Sequence, residues 1–138
     1  VLPLDEHIKD RLEEHVAELE NSLDCDFMSI ISEIYPNLDM VVQDVIEKRD
    51  EKRETLAILL QTPGGIVEVV ERMVNTIRHH YNDVSFIILD KAMSAGTVFV
   101  MSGDRIMMDY FSCLGPIDPQ VYDENNKLVP ALSYLNQF

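Results

Sequence analysis

The chain has 138 residues, of which 46% are apolar and 26% charged, and its formal net charge is −14. That length suits one domain around one core, and the acidic excess speaks against a nucleic-acid partner, whose phosphates need clustered Lys and Arg. Neither Cys25 nor Cys113 has a Cys-x-x-Cys partner or surrounding His residues, which argues against a zinc site.

Two lone thiols suit a reducing compartment, so a cytoplasmic location is expected, with a bridge between them left open. No apolar run approaches the roughly 20 residues that span a bilayer, and no signal peptide is visible. The opening Val1-Leu2-Pro3, without Met, reads as the start of an excised piece. A membrane anchor outside this segment therefore stays open, and so does a C-terminal part beyond Phe138.

In chain order, Asp5 to about Leu23 reads as an amphipathic helix. Ile8, Leu12, Val16 and Leu19 recur at helical spacing, and Asp5 is the expected N-cap. The acidic excess is densest in this region and reads as a solvated helix face. Asp26 to Ile31 is a short apolar run with strand character, broken by Tyr35-Pro36-Asn37. A second helix is expected from Leu38 to about Lys48, with Met40, Val41, Val45 and Ile46 facing inward, followed by a solvated charged stretch from Glu47 to Glu54.

Thr55 to Leu60 is a continuous apolar run that ends in Gln61-Thr62-Pro63-Gly64-Gly65, as a buried strand ends in a tight turn. Ile66 to His80 returns to helical period through Val69, Val70, Met73 and Ile77. Val84 to Leu89 is another buried strand. The small apolar stretch from Ala92 to about Ser102 reads as a helix close against the sheet, and Arg105 to Met108 as a further short strand. This alternation implies an α/β fold of parallel crossover units with right-handed connections. From Ser112 the chain is rich in turns, with a last short helix expected at Leu132 to Phe138.

Two loops leave the carboxyl ends of neighbouring predicted strands, where ligand sites of open α/β sheets gather. One holds Pro63-Gly64-Gly65, and the other holds Ala92-Met93-Ser94-Ala95-Gly96. Glycine lets a backbone N–H approach a substrate without a side chain in the way. Ser94 stands near a helix start, where unpaired N–H groups favour negative charge. Singly, the first motif is an ordinary turn and the second an ordinary N-cap. Jointly they are what a nucleophile and its oxyanion hole require.

The segments Leu59 to Gly65, Ala92 to Thr97, Ser102-Gly103-Asp104 and Ser112 to Gln120 together resemble the serine dehydrogenase proteinase family, a distant relative of the Clp proteolytic subunit and of signal peptide peptidase A. The likeness runs from about Phe27 to Tyr134, and Gly115-Pro116-Ile117-Asp118-Pro119-Gln120 is its most specific part. The resemblance implies a crotonase-like (Clp-protease-like) fold of stacked ββα units, with a mostly parallel sheet and flanking helices. It makes Ser94 the nucleophile, gives the oxyanion hole to the N–H groups of Gly65 and Ala95, and places Gly64 and Gly65 against the substrate. Peptide-bond hydrolysis through an acyl-enzyme follows, with no metal or other cofactor, in a homo-oligomer acting on peptides or proteins.

A serine needs a base. The family order is Ser, Asp, His; Asp118 fits the second role, and no His follows it in this chain. His79 and His80 close the helix that starts at Gly65, roughly 20 Å from the turn at 1.5 Å per residue. His7 and His15 fall on the N-terminal helix. Signal peptide peptidases use a lysine, in a segment that aligns near Ala131 and Leu132, where this chain has none. Lys127 is the nearest candidate base, in an acidic turn that favours its protonated form, and Lys91 stands three residues before Ser94. Two rival readings keep the fold: a peptide-binding or assembly module without a working base, and crotonase-type acyl-CoA chemistry. The second would leave Ser94 superfluous and lacks a basic cluster for nucleotide phosphates.

Overall fold

A computed structural model describes residues 2–118 and 120–130; the helix expected at Leu132 to Phe138 lies outside the described residues. The elements run α1 (Pro3–Leu23), β1 (Asp26–Ile31), α2 (Leu38–Glu47), β2 (Thr55–Gln61), α3 (Val67–His80), β3 (Asp83–Ile88), β4 (Lys91–Ala92), α4 (Ala95–Met101), β5 (Arg105–Met108), β6 (Cys113–Leu114), β7 (Gln120–Tyr122) and β8 (Leu128–Pro130).

Four strands form a parallel sheet in the order β1-β2-β3-β5. The register sets Asp26 opposite Leu56, Leu56 opposite Val84, and Ser85 opposite Arg105. Parallel neighbours need long crossovers, and α2, α3 and α4 supply them. A second, shorter parallel layer grows past the carboxyl ends of these strands. Ile34 bridges to Gly65, Thr62 bridges to Ala92, and β4 pairs with β6. Each turn of the chain is thus a long strand, a short extended segment and a helix, which is the ββα repeat expected for the fold. The β7–β8 hairpin is antiparallel.

The core lies between the sheet and the three crossover helices. Leu59 and Ile87 are half-buried, while Leu56, Ile58 and Leu60 of β2 are buried, as are Val84, Phe86 and Ile88 of β3. They join Val42 and Ile46 of α2, Met73 and Ile77 of α3, and Phe99 and Val100 of α4 in one buried cluster. The rings of Phe86 and Phe99 meet edge to face, 4.9 Å between centroids, a geometry favoured by the aromatic quadrupole.

Three boundary and facing expectations are corrected. Helix α1 begins at Pro3 with Leu2 as its N-cap residue, so Asp5 is inside the first turn and its N–H donates to the Leu2 carbonyl at 2.9 Å. Proline suits that first position because its missing N–H would have had no partner there. In α2 the buried stripe is Leu38, Val42 and Ile46, while Met40, Val41 and Val45 are exposed. Apolar residues occupy more than one face of this helix, and only the i, i+4, i+8 row meets the sheet. The helix expected from Ala92 starts at Ala95, because Lys91 and Ala92 are taken up by the short parallel pairing with Cys113 and Leu114.

Helix α1 has no buried residue. Ile8, Leu12 and Leu19 are exposed, and Val16 alone of the expected stripe is half-buried, lining a groove with Phe27, Val41 and Val45. Polar contacts hold the carboxyl end of α1. Glu20 accepts a two-pronged bond from Arg49, at 2.9 and 3.1 Å, and a third from the Phe27 N–H at 2.9 Å. Burial alone would raise the Glu20 pKa, but the Arg49 guanidinium and the Phe27 N–H outweigh it and hold the carboxyl below its ordinary value. Beside it, buried Asp26 accepts the Tyr81 hydroxyl at 2.8 Å and the Arg53 N–H at 3.2 Å through Oδ2. Arg49 Nη2 stands 3.0 Å from Asp26 Oδ1, off the line of a hydrogen bond, so that oxygen is matched by charge alone. Cys25, next to this cluster, is a buried free thiol, and Cys113 is free and exposed.

Candidate active site

The Pro63-Gly64-Gly65 turn is fastened on both sides. The Thr62 N–H donates to the Lys91 carbonyl and the Met93 N–H to the Thr62 carbonyl, each at 3.1 Å. The Gly64 N–H turns back onto the buried Thr62 hydroxyl at 3.1 Å. On the other flank the Ile34 N–H donates to the Gly64 carbonyl at 2.9 Å, and the Ile66 N–H to the Ile34 carbonyl at 3.0 Å. These bonds straddle Gly65, whose own N–H donates to no group among the described residues. The turn requires glycine: φ is 110° at Gly64 and 147° at Gly65, and a side-chain carbon at Gly65 would run into the Ile34 carbonyl.

Ser94 has φ 53° and ψ −121°, a conformation L-residues rarely adopt. Strained serines on a sharp strand-to-helix turn present their hydroxyl outward, as nucleophile elbows do. The turn is closed behind it by the Gly96 N–H on the Met93 carbonyl at 2.8 Å and the Thr97 N–H on the Ser94 carbonyl at 2.9 Å. The Ser94 hydroxyl does not cap α4, so the ordinary N-cap role does not account for it. The Ala95 N–H, like that of Gly65, is without an acceptor among the described residues.

Thr97 ties the nucleophile helix to the loop that follows β6. Its buried hydroxyl lies 2.8 Å from the Ala92 carbonyl and 3.0 Å from the Gly115 carbonyl, and it accepts the Gly115 N–H at 3.2 Å. That loop carries Ile117 and Asp118 to the lining of a cavity of about 440 Å³, which Gly65, Ser94 and Ala95 also line. Ser94, Gly65, Ala95 and Asp118 therefore border one space. Both α3 and α4 begin at its wall, where their first N–H groups carry partial positive charge.

The other candidates stand apart from this cavity. Gly64 is buried within the turn, where an added side-chain carbon would meet the Ser94 Cβ. Lys127 is exposed in the turn of the β7–β8 hairpin, where its backbone N–H donates to Asp123 Oδ1 at 2.8 Å. Lys91 is exposed in β4, His7 and His15 are exposed on α1, and His79 and His80 end α3, a helix length from Gly65. Among the described residues, no group of three or more His, Cys, Asp or Glu side chains converges to hold a metal, and no helix is long and apolar enough to cross a membrane.

Sequence reasoning missed part of the lining. Glu68 stands on the first turn of α3, and Ile66, Val67, Val98, Ile117 and Gln120 line the cavity as well. The one available signal was spacing, since Glu68 follows Gly65 by three residues and so falls on the helix start beside it.

Comparison with known proteins bears on the family and the fold. The family model described as ClpP-like SDH-type serine proteinase matches residues 38–137. Two uncharacterised proteins of Methanocaldococcus jannaschii are each 33% identical to the chain, one over 70 residues (51% of this chain, 24% of the relative) and one over 64 residues (46% and 22%). The chain thus spans about a quarter of the length of these curated relatives. Among solved structures, a serine variant of the 1510-N membrane-bound stomatin-specific protease superposes with a TM-score of 0.64 at 21% identity, covering 80% of this chain and 56% of that one. A lysine variant of the same protease, in complex with a substrate peptide, gives 0.62 at 23% identity, covering 80% and 54%. At these identities the likeness is one of fold. The match of the family model to most of the length places the chain in the ClpP-like SDH-type serine proteinase family.

Proposed function

We propose that this chain carries the nucleophile and oxyanion hole of a serine peptidase. Ser94 Oγ attacks the scissile carbonyl, and the developing oxyanion is received by the N–H groups of Gly65 and Ala95. The observation that carries this reading is the pair of unspent N–H groups flanking a strained, non-capping serine at one cavity. Loss of one such donor typically removes roughly 2.7–4 kcal/mol of transition-state stabilisation. The serine proton passes to a base and then to the departing amine, leaving an acyl-enzyme that water hydrolyses. Asp118, on the lining of the same cavity, is the carboxylate that orients the base. The substrate peptide bound to the solved neighbour supports a peptide as the ligand class.

A second reading, a peptide-binding or assembly module, is favoured by one observation. The titratable side chains among the described lining residues are two carboxylates, Glu68 and Asp118, and an ordinary carboxylate is a weak base near neutral pH. Lys127 is a candidate base only if the hairpin brings it to Ser94. Labelling with an alkyl fluorophosphonate separates the readings. Wild type is expected to label and Ser94→Ala not to. Equal labelling of the two removes Ser94 as the nucleophile, and no labelling of either leaves the binding module.

A further inference from the structure

We infer that the Ser94 cavity selects internal peptide segments in which an apolar residue is flanked by a basic one, and that Glu68 sets this preference. The inference rests on reading the cavity as a peptide site. Its walls carry apolar side chains, Ile66, Val98 and Ile117 among them, and among the described residues its charged lining is the Glu68 and Asp118 carboxylates. Glu68 is exposed, and no ion pair with Glu68 is found among the described residues. It stands three residues after Gly65 on the first turn of α3 and lines the same cavity as Gly65 and Ala95.

The physical consequence has two parts. An apolar side chain gains by leaving water for the walls, roughly 25 cal/mol per Å² buried. The residue beside it remains near the rim, where two carboxylates favour Lys or Arg and repel Asp or Glu. The same repulsion acts on the free carboxylate of a substrate that ends at the apolar residue. The Glu68 and Asp118 carboxylates on the lining therefore favour segments that continue on both sides of the scissile bond over ones that end there in a free carboxylate. Acyl-CoA phosphates are disfavoured on the same ground. An acid in the first turn also favours the helix start, but that role needs only proximity to α3 and does not require a place on the cavity wall.

The test is an NMR titration of the ¹⁵N-labelled chain, read at the Gly65 and Ala95 amides, which report binding with or without turnover. The probes are acetylated, C-terminally amidated hexapeptides with a central Leu flanked by Lys, Gln or Glu, together with a free-acid peptide ending at that Leu. The expected affinity order is Lys, then Gln, then Glu, with about a fivefold step for each charge at low salt, as an exposed ion pair supplies. The free acid binds more weakly than its amide. High salt compresses the series. Glu68→Gln narrows it and Glu68→Lys reverses the Lys and Glu peptides, with urea unfolding showing that both variants fold. Equal affinities, a preference for Glu, no binding by any peptide, or an order unchanged in Glu68→Lys overturns the inference. Fluorophosphonate labelling of Ser94 in the same preparation keeps the two readings apart. A labelled protein without the charge order loses this inference and keeps the peptidase reading, and a charge order without labelling does the reverse.

Discussion

Gly64 and Ser94 are packed so closely that a side-chain carbon added at Gly64 would sit 2.9 Å from the Ser94 Cβ. The two residues belong to different ββα units, 30 positions apart in sequence. They meet because Thr62 and Ala92 pair in parallel at the base of their loops. The site is therefore a product of register, and changes to the turn bonds should alter both stability and the reactivity of Ser94.

Relief of backbone strain at Ser94 should stabilise the fold. A non-glycine residue held at this φ and ψ carries about 1–3 kcal/mol, and glycine in the unfolded chain gives back roughly 0.5–1 kcal/mol. Ser94→Gly is expected to be more stable than wild type by about 1 kcal/mol in urea unfolding while losing fluorophosphonate labelling. Ser94→Ala keeps the strain and is expected to gain nothing. A glycine variant less stable than wild type would show that the turn is relaxed.

Thr62→Val keeps the shape of a fully buried side chain and removes the acceptor of the Gly64 N–H. A buried donor left without a partner costs about 1–3 kcal/mol. The variant is expected to unfold at lower urea by that amount. Its Ser94 should also label about tenfold more slowly, since small misplacements at a reacting centre are expensive. Unchanged labelling would separate the turn bond from the site.

The α1 clasp should weaken in acid. Glu20 has a folded-state pKa below its ordinary 4.5. Its stabilisation is thus fully present above about pH 4.5 and is lost as pH falls through the lower folded value. Glu20→Gln is expected to be about 1–2 kcal/mol less stable at neutral pH, from weakened bonds to Arg49 and Phe27. The gap to wild type should narrow as pH falls below 4.5 and close once it passes the lower folded value. A constant gap across that range would mean that the Glu20 charge is not what holds α1.

Tyr81 should act at the opposite end of the pH scale. Burial, together with the bond to Asp26, pushes its phenol above the ordinary 10.0. Folding favours the neutral phenol, so its contribution is complete below pH 10 and fades as pH rises from there toward the folded value. Tyr81→Phe is expected to lose about 1.5–3 kcal/mol at neutral pH, as for a hydrogen bond to a charged group. It should also lose the alkaline slope that wild type shows. An equally steep alkaline slope in the variant would assign that slope to another group.

The strands and crossover helices were legible in sequence because their signals are local. Thr55 to Leu60 and Val84 to Leu89 are apolar runs bounded by turns, and Val69, Val70, Met73 and Ile77 mark one helical face that is buried in the fold. The facing of α2 was not legible, since Met40, Val41 and Val45 are as apolar as Leu38, Val42 and Ile46 and only the position of the sheet chooses between them. Short parallel pairings such as Lys91 and Ala92 with Cys113 and Leu114 were missed for a related reason. Two residues carry no period, and their partner lies about 20 positions away.

By itself the sequence determined which residue types stand at the strand ends: a serine after β3 and two glycines after β2, in segments that resemble a serine proteinase family. Only the tertiary structure decided that these loops border one cavity, that Ser94 is strained and does not cap α4, and that the Gly65 and Ala95 N–H groups have no acceptor among the described residues. It also decided that Glu68 and Asp118 border the same space while every histidine lies elsewhere. Local sequence fixes what a loop is made of. Which loops become neighbours, and which of their polar groups are already satisfied, follows from strand register and helix packing between residues far apart in the chain.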